Sequence, residues 1–293
     1  APTPCTPAPG RAHRTTVRRP SGVRTLPGDA AGVVRAVGSE VSLFQPGDRV
    51  LHHLGVSAFA THAVVDRRSV VKVDEWLPLD KAVLVGCGVP SGWGTSVYAG
   101  GVRAGDTVVI YGIGGLGINA VQGAVSAGAK YVVVVDPVAL KRDTALKFGA
   151  THAFADAAEA AEKVNELTWG QGADQALILV GTVDAEVVAN ATAVVGKGGT
   201  VVITGLADPT KLTVQVSGTD LTLNQKTIKG SLFGSANPQY DIVKLLRLYD
   251  AGQLKLDELV TQTYTLDQVN EGYQDLRDGK NIRGVIRYTE EDW

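Results

Sequence analysis

The sequence lacks several features that would mark a specialised class of protein. Among its 293 residues there is no methionine, even at position 1, and there are only two cysteines, Cys5 and Cys87. We therefore expect a processed, incomplete or altered start. Two cysteines form no disulfide framework, and no C-x-x-C pair offers a structural metal site, so a reducing cytoplasm fits best. No apolar run approaches the roughly 20 residues that a membrane span needs.

An excess of charge is also absent, because 28 basic residues stand against 30 acidic ones. The net charge of −2 gives no reason to expect nucleic acid or an anionic membrane as a partner. Hydrophobic residues make up 44% of the chain, which is typical of globular proteins and argues against wholesale disorder. At this length we expect two domains or one large α/β unit.

The first 27 residues differ in composition from the rest of the chain. They hold six of the twelve prolines and five arginines but no acidic residue. Because proline fixes φ and lacks an N–H donor, we expect this head to be extended or disordered. An Arg-rich, acid-free start also resembles a transit peptide, although the prolines disfavour the amphipathic helix of such a peptide.

The pattern of predicted secondary structure changes once in the remaining chain. From Gly28, short strands separated by Gly/Pro turns predict a small barrel or sandwich. From about Pro90, apolar strands alternate with helices, as in a parallel sheet that is covered on both faces. The strands predicted there are 107–111, 131–135, 153–154, 175–180, 200–204 and 227–232. The predicted fold class is α/β, with a doubly wound parallel sheet beside a smaller β domain.

The strongest chemical signal is a glycine loop directly after the first of those strands. It contains Gly112, Gly114, Gly115 and Gly117, and it fits G-x-G-x-x-G. In this motif the first glycine allows the tight turn, the second lets a pyrophosphate approach the backbone, and the third lets helix and strand pack closely. The N–H groups of the following helix favour bound phosphates. The loop therefore predicts a dinucleotide site.

An acid follows the loop at the distance that such a site requires. Asp136 ends the second strand, 19 positions after Gly117, where a carboxylate accepts both ribose hydroxyls and repels a 2′-phosphate. NAD is therefore favoured over NADP. Lys141 is a further candidate for the ribose, and Arg142 keeps NADP open. The alternative is a glycine turn without a ligand, with Asp136 only capping a helix.

Metal ligands are scarce in the sequence. A lone cysteine among apolar residues, such as Cys87, is usually a small buried hydrophobe. The five histidines form no spaced pair such as H-x-x-x-H, and the adjacent His52 and His53 would face opposite sides of a strand. From the pattern alone we expect a structural Cys87 and ordinary surface or turn histidines.

Four segments, 86–97, 105–117, 147–152 and 280–288, carry a family resemblance. Together they resemble the zinc-containing alcohol dehydrogenases of the medium-chain dehydrogenase/reductase superfamily, and most of all the bacterial nicotinoprotein branch. Members of that branch hold NAD tightly and are assayed with N,N-dimethyl-4-nitrosoaniline (NDMA) as the acceptor. The resemblance implies a GroES-like catalytic domain, split in sequence around a Rossmann domain. The implied parts are 28–89, 90–232 and 233–293.

The resemblance also implies roles for individual residues. Cys87 matches a catalytic zinc ligand, so a site role is now favoured over a structural one. Ser91 matches the Ser/Thr position near the nicotinamide. Phe233 matches a backbone partner of the carboxamide, and Arg283 matches a pyrophosphate contact. All four are expectations from the resemblance.

The chain departs from the family pattern in its first part. Where the family has Gly-His-Glu, this chain has Gly28-Asp29-Ala30, so Asp29 is a candidate oxygen ligand for zinc. The four-cysteine lobe that holds structural zinc, expected between Val50 and His52, is absent from the sequence. We therefore expect at most one catalytic zinc ion and no structural zinc.

Three functions remain open at this point. The first is NAD-dependent oxidation of an alcohol or reduction of an aldehyde, with zinc assistance if the metal site survives. The second is a zinc-free reductase of the quinone or enoyl type. The third is an NAD-binding homologue with impaired catalysis. Under each of them the resemblance implies a homodimer or homotetramer that pairs edge strands near residues 227–232.

Overall fold

The computed structural model describes residues 14–18, 23–25, 30–53, 59, 60 and 62–288. Its first part consists of short strands and two helices. They are β1 (Arg14–Arg18), β2 (Val23–Thr25), β3 (Ala30–Val37), β4 (Arg49–His52), β5 (His62–Asp66), β6 (Val70–Lys72), α1 (Leu79–Ala82) and α2 (Gly88–Gly94). Helix α2 continues without a break into a π-helix, Thr95–Gly100. Gly101, with φ 64°, ends it in the left-handed conformation that glycine favours.

Strands and helices then alternate. The elements are β7 (Thr107–Tyr111), α3 (Gly117–Ser126), β8 (Tyr131–Val135), α4 (Ala139–Lys147), β9 (His152–Phe154), α5 (Ala157–Leu167), β10 (Ala173–Ile178), α6 (Ala185–Val194), β11 (Val195–Ile203), α7 (Gly218–Leu223) and β12 (Thr227–Gly230). The last part begins with a 3-10 turn, Phe233–Ser235. It continues with α8 (Pro238–Asp250), β13 (Val260–Tyr264), α9 (Val269–Arg277) and β14 (Arg283–Arg287).

The alternating segment forms one parallel sheet in the order β12-β11-β10-β7-β8-β9. The strand order reverses between β7 and β10, and such a switch point opens a crevice at the carboxyl ends of the strands. Val108, Val109 and Ile110 of β7 are all fully buried because helices cover both faces of the sheet. Val108 and Ile110 pack in the cluster that contains α3, whereas Val109 packs in the cluster of α5 and α6. The predicted α/β class is confirmed.

A second, mixed sheet joins the two ends of the chain. Its order is β13-β14-β2-β3-β1-β5, and β4 pairs with both β3 and β6. Because β14 pairs with β2, the segment after the parallel sheet completes the sheet that precedes it. Strand β4 runs unbroken from Arg49 to His52, the point where the resemblance places the absent lobe.

The structure bears on the expected parts of the chain at two places. Within the head, β1 pairs with β3 and β5, so this stretch is extended and paired. The reason is a proline-free run between Pro9 and Pro20 that contains the β-branched residues Thr15, Thr16 and Val17. The boundary expected between residues 89 and 90 falls inside helix α2.

The structure also bears on two smaller expectations. His52 and His53 are only 5% and 8% exposed, so they are not surface residues. Strand β4 pairs on both edges, which places its end inside the molecule. Cys5, His13 and Asp29 lie outside the described residues. Among those that are described, no helix combines the length and apolar character of a membrane span.

Candidate functional site

The glycine loop lies between β7 and α3, at the carboxyl edge of the parallel sheet. Gly112 has φ +88°, and a Cβ there would lie 2.8 Å from the backbone of Val180. A Cβ at Gly117 would collide with the carbonyl oxygen of Gly112. Folding therefore requires both glycines. Gly114 is different, since it has no positive φ and a Cβ there would meet nothing within 4 Å. The protein itself leaves open space beside Gly114.

The Asp136 carboxylate braces this loop. Asp136 is 4% exposed and follows the last residue of β8. Its Oδ2 accepts a hydrogen bond from the backbone N–H of Ile113 at 2.8 Å. Its Oδ1 accepts from the N–H of Val138 at 2.9 Å. The sequence predicted a ribose ligand here, and the structure adds a second role, because the carboxylate fixes the loop in which Gly114 lies.

Two basic residues follow Asp136 and behave differently. The Nζ of Lys141 lies 3.9 Å from Asp136 Oδ2, so Lys141 stands at the same corner of the crevice. Arg142 donates through Nη1 to the carbonyl oxygens of Asp136 and Pro137, both at 2.8 Å. The Arg142 guanidinium therefore stabilises the backbone of the turn that follows β8.

Tyr111, the last residue of β7, is a feature that the sequence analysis missed. The residue is 3% exposed, and its hydroxyl has no hydrogen-bond partner within the described part of the chain. Burial raises the pKa of the Tyr111 phenol well above its usual range, so the group stays protonated. An apolar stretch of β-branched and aromatic residues gives no sequence signal for such a group.

Cys87 and Ser91 are brought together at the start of α2. Cys87 is the N-cap residue, half-buried, and Ser91 is 3% exposed. Their Sγ and Oγ atoms are 3.8 Å apart. Every residue of α2 is buried, and its glycines allow close approach by neighbouring segments. A Cβ at Gly92 would collide with the carbonyl oxygen of Leu116, so α2 packs directly on the end of the glycine loop.

Arg283 and Phe233 lie near the same edge. A Cβ at either Gly88 or Gly115 would collide with the Arg283 guanidinium, which therefore lies between helix α2 and the glycine loop. Phe233 has φ 55° and Ser235 has φ 59°, and Gly234 lies between them with φ 66°. Left-handed conformations at non-glycine residues store strain and concentrate at functional sites. A Cβ at Gly94 would lie 2.5 Å from the Gly234 carbonyl oxygen, so this strained turn contacts α2.

A polar cavity of about 490 Å³ lies at the other edge of the parallel sheet, near the amino ends of β10, β11 and β12. Lys226 lines it, and its Nζ donates to the Thr192 carbonyl at 2.8 Å and contacts Asp220 Oδ2 at 3.1 Å. None of the predicted site residues lines this cavity, so the candidate site is the crevice at the glycine loop.

Comparison with known proteins agrees with this geometry. The family model of zinc-binding dehydrogenases matches residues 115–251, which begin within the glycine loop and run to the end of α8. This segment of the chain is similar to the zinc-binding dehydrogenase family. The family match thus covers α3, the last two glycines of the loop and Asp136.

Among the relatives of this chain, "Putative alcohol dehydrogenase D" of Mycobacterium tuberculosis is 82% identical over 231 residues, 79% of this chain. The "NDMA-dependent alcohol dehydrogenase" of Amycolatopsis methanolica is 70% identical over 234 residues, 80% of this chain. The chain spans 63% of the length of each of them.

Solved structures share the fold. The benzyl alcohol dehydrogenase of Acinetobacter calcoaceticus is 22% identical with a TM-score of 0.86, over 96% of this chain and 94% of that one. An alcohol dehydrogenase zinc-binding domain protein of Burkholderia ambifaria is 25% identical with a TM-score of 0.85, over 96% and 93% of the two chains. The mixed sheet and the parallel sheet together therefore form the architecture of these dehydrogenases.

The family name raises the question of zinc, and the described residues do not fit it. A catalytic zinc ion needs three protein ligands and one open position. Among the residues that the structure describes, no group of three or more His, Cys, Asp or Glu side chains could hold a metal ion. Cys87 has Ser91 beside it, and Asp29 lies outside the described residues. We therefore derive no chemical step through zinc.

Proposed function

We propose that the crevice at the glycine loop binds NAD. The observation that carries this proposal is the open space at Gly114, the one glycine of the G-x-G-x-x-G motif that neither packing nor backbone conformation requires. A pyrophosphate needs this approach to the backbone, and the N-terminus of α3 offers its N–H groups beside it. The Asp136 carboxylate at the end of β8 supports a preference for NAD over NADP, because it repels a 2′-phosphate.

We further propose that the chain is the NAD-binding part of an alcohol or aldehyde oxidoreductase, in which hydride moves between a substrate carbon and the nicotinamide. The names of the relatives that are 82% and 70% identical support this activity. Because the chain spans 63% of their length, the activity of the whole protein stays a proposal. A cytoplasmic location, from the low cysteine content, belongs to the same proposal.

The residues around the crevice have proposed roles in this reaction. Arg283, between the glycine loop and α2, would contact the pyrophosphate. The strained turn at Phe233 would present backbone groups to the carboxamide. Ser91 would lie next to the nicotinamide, with Cys87 beside it. Cys87 would also be a ligand of a catalytic zinc ion. Asp29, which lies outside the described residues, would be a further ligand.

A second candidate function is NAD binding without metal-assisted turnover. It is favoured because no group of three or more His, Cys, Asp or Glu side chains among the described residues could hold a metal ion. A zinc-free reductase of the quinone type and a catalytically impaired homologue both fit this candidate. Turnover of quinones with NADH separates these two.

Replacing Cys87 tests the proposed activity. We expect the parent to oxidise primary alcohols with NDMA as acceptor, and Cys87→Ala to lose turnover by about 100-fold while its affinity for NADH stays within about threefold. The reason is that Cys87 stands beside Ser91, which we propose to lie next to the nicotinamide, whereas the open space at Gly114 is unchanged. Alcohol turnover, NADH titration and zinc content of protein purified without chelator are measured together.

The other thiol provides the control for this experiment. Cys5→Ala is expected to match the parent in all three measurements. A parent that binds NADH without alcohol turnover contradicts the oxidoreductase proposal and supports the second candidate. Turnover that survives in Cys87→Ala contradicts a role of this thiol in the reaction.

We also propose that the chain forms a homodimer or homotetramer through strand β12. This strand is at the edge of the six-stranded sheet, and unpaired edges invite pairing with another copy. Leu232, just after β12, is 89% exposed, and Leu206 is 81% exposed. Light scattering should give at least twice the chain mass of 30.6 kDa. Leu232→Asp should lower it, whereas Leu43→Asp, at a 67% exposed leucine of the β domain, should not. A parent at the mass of one chain excludes this assembly.

A further inference from the structure

Several segments meet at the backbone carbonyl of Ser91. The N–H of Thr95, the first residue of the π-helix, donates to this carbonyl, as helix geometry requires. The Thr95 hydroxyl donates to the same oxygen at 2.6 Å. The strained turn lies against it as well, because a Cβ at Gly234 would be 2.5 Å from the Ser91 oxygen. The backbone of Ser91, whose hydroxyl is the proposed catalytic group, is thus fixed by Thr95 and by the strained turn.

A second hydroxyl extends this arrangement to the parallel sheet. The Oγ1 atoms of Thr95 and Thr204 are 2.9 Å apart, although the two residues are 109 positions apart in sequence. Thr204 directly follows the last residue of β11, and its N–H donates to the carbonyl of Ile178 at the end of β10 at 3.0 Å. The hydroxyl pair therefore connects α2 to the carboxyl edge of the sheet, where the proposed cofactor site lies.

The direction of these hydrogen bonds follows from the number of protons. A threonine hydroxyl has one proton, and a carbonyl oxygen accepts only. Thr95 uses its proton on the Ser91 carbonyl, so Thr204 must be the donor in the contact between the two hydroxyls. The hydrogen bonds therefore form a series in which the Thr204 hydroxyl donates to the Thr95 hydroxyl, and the Thr95 hydroxyl donates to the Ser91 carbonyl. Removal of the Thr204 hydroxyl leaves the fully buried Thr95 oxygen without its donor.

We propose that Thr204 is a positioning residue for the reaction. Through Thr95 it holds the Ser91 segment of α2 against the end of β11, so that Ser91 and Cys87 keep their place beside the bound nicotinamide. The π-helix that starts at Thr95 adjoins this support, and π-helical turns are rare and frequently lie at functional sites. The inference deepens the proposed NAD-dependent function and rests on it.

The test combines a removed hydroxyl, a restored hydroxyl and a distant control. Thr204→Val deletes the donor, and Thr204→Ser keeps it. Thr192→Val removes a similar buried hydroxyl that donates to the carbonyl four residues earlier, Val188, at 2.7 Å in helix α6. NADH affinity, the alkylation rate of Cys87 by iodoacetamide, read from its own peptide by mass spectrometry, and alcohol turnover are measured for each variant.

We expect Thr204→Val to bind NADH within about threefold of the parent, because the glycine loop is unchanged. Its Cys87 should be alkylated about fivefold faster, because α2 loses a restraint. Its kcat should fall about tenfold with little change in KM. Thr204→Ser should restore the alkylation rate and kcat, and Thr192→Val should match the parent.

Parent-like alkylation and kcat in Thr204→Val overturn the inference, and so does a Thr204→Ser variant that fails to restore them. If Thr204→Val does not fold, Thr95→Val removes the middle of the same chain and is judged by the same criteria. A parent that shows no saturable NADH binding contradicts the proposed function instead. In that case the Cys87 alkylation rates of the unliganded variants still decide whether the hydroxyl chain positions α2.

Discussion

Replacing Gly114 by valine is expected to weaken NADH binding by about 100-fold, or about 2.7 kcal/mol, without lowering the melting temperature of the protein. The two effects separate because the space around Gly114 is open in the protein and its φ is not positive, so a side chain there strains nothing in the fold. The same side chain occupies the place where the pyrophosphate must approach the backbone. NADH fluorescence titration and thermal melting measure the two quantities.

Two other glycines serve as controls for this experiment. Gly218→Val places the same side chain at a second glycine with open surroundings, at the start of α7, and should change neither affinity nor melting temperature. Gly117→Ala should instead destabilise the fold by about 1–3 kcal/mol, because its Cβ meets the Gly112 carbonyl. If Gly114→Val binds NADH as the parent does, the crevice at the glycine loop is not the cofactor site.

The sequence was sufficient for the parallel sheet because its signals are local. The strands 107–111 and 131–135 were predicted with the bounds that the structure has. Uniformly apolar strands between helices have one physical explanation, burial on both faces. The glycine loop was equally local, since a tight turn, a close helix–strand contact and an open approach each require glycine at a fixed position.

The sequence was insufficient where distant segments meet. The hydrogen bond from Ile113 to Asp136 and the contact between Thr95 and Thr204 join residues 23 and 109 positions apart. No local pattern reports such contacts. The left-handed Phe233 was singled out by resemblance alone, because nothing in its composition signals strain. The pairing of β1 was hidden by the prolines on either side of it.

Replacing Asp136 is expected to have the second large effect, and here affinity and stability should fall together. In Asp136→Ala the fully buried N–H of Ile113 and the N–H of Val138 lose their acceptors. An unpaired buried donor costs about 1–3 kcal/mol, so the melting temperature should drop by about 5 °C. NADH affinity should fall by about 100-fold, because the ribose loses its acceptor and the loop around Gly114 loses its brace.

Two further variants separate the brace from the ribose contact. Lys141→Ala removes the amine 3.9 Å from Asp136 Oδ2 but no hydrogen bond of the loop, so it should leave the melting temperature unchanged. Asp136→Asn keeps one acceptor for the two backbone donors and removes the negative charge. It should therefore melt between the parent and Asp136→Ala, and its preference for NADH over NADPH should decrease, because nothing then repels the 2′-phosphate. An Asp136→Ala variant that melts and binds NADH like the parent contradicts both roles of this carboxylate.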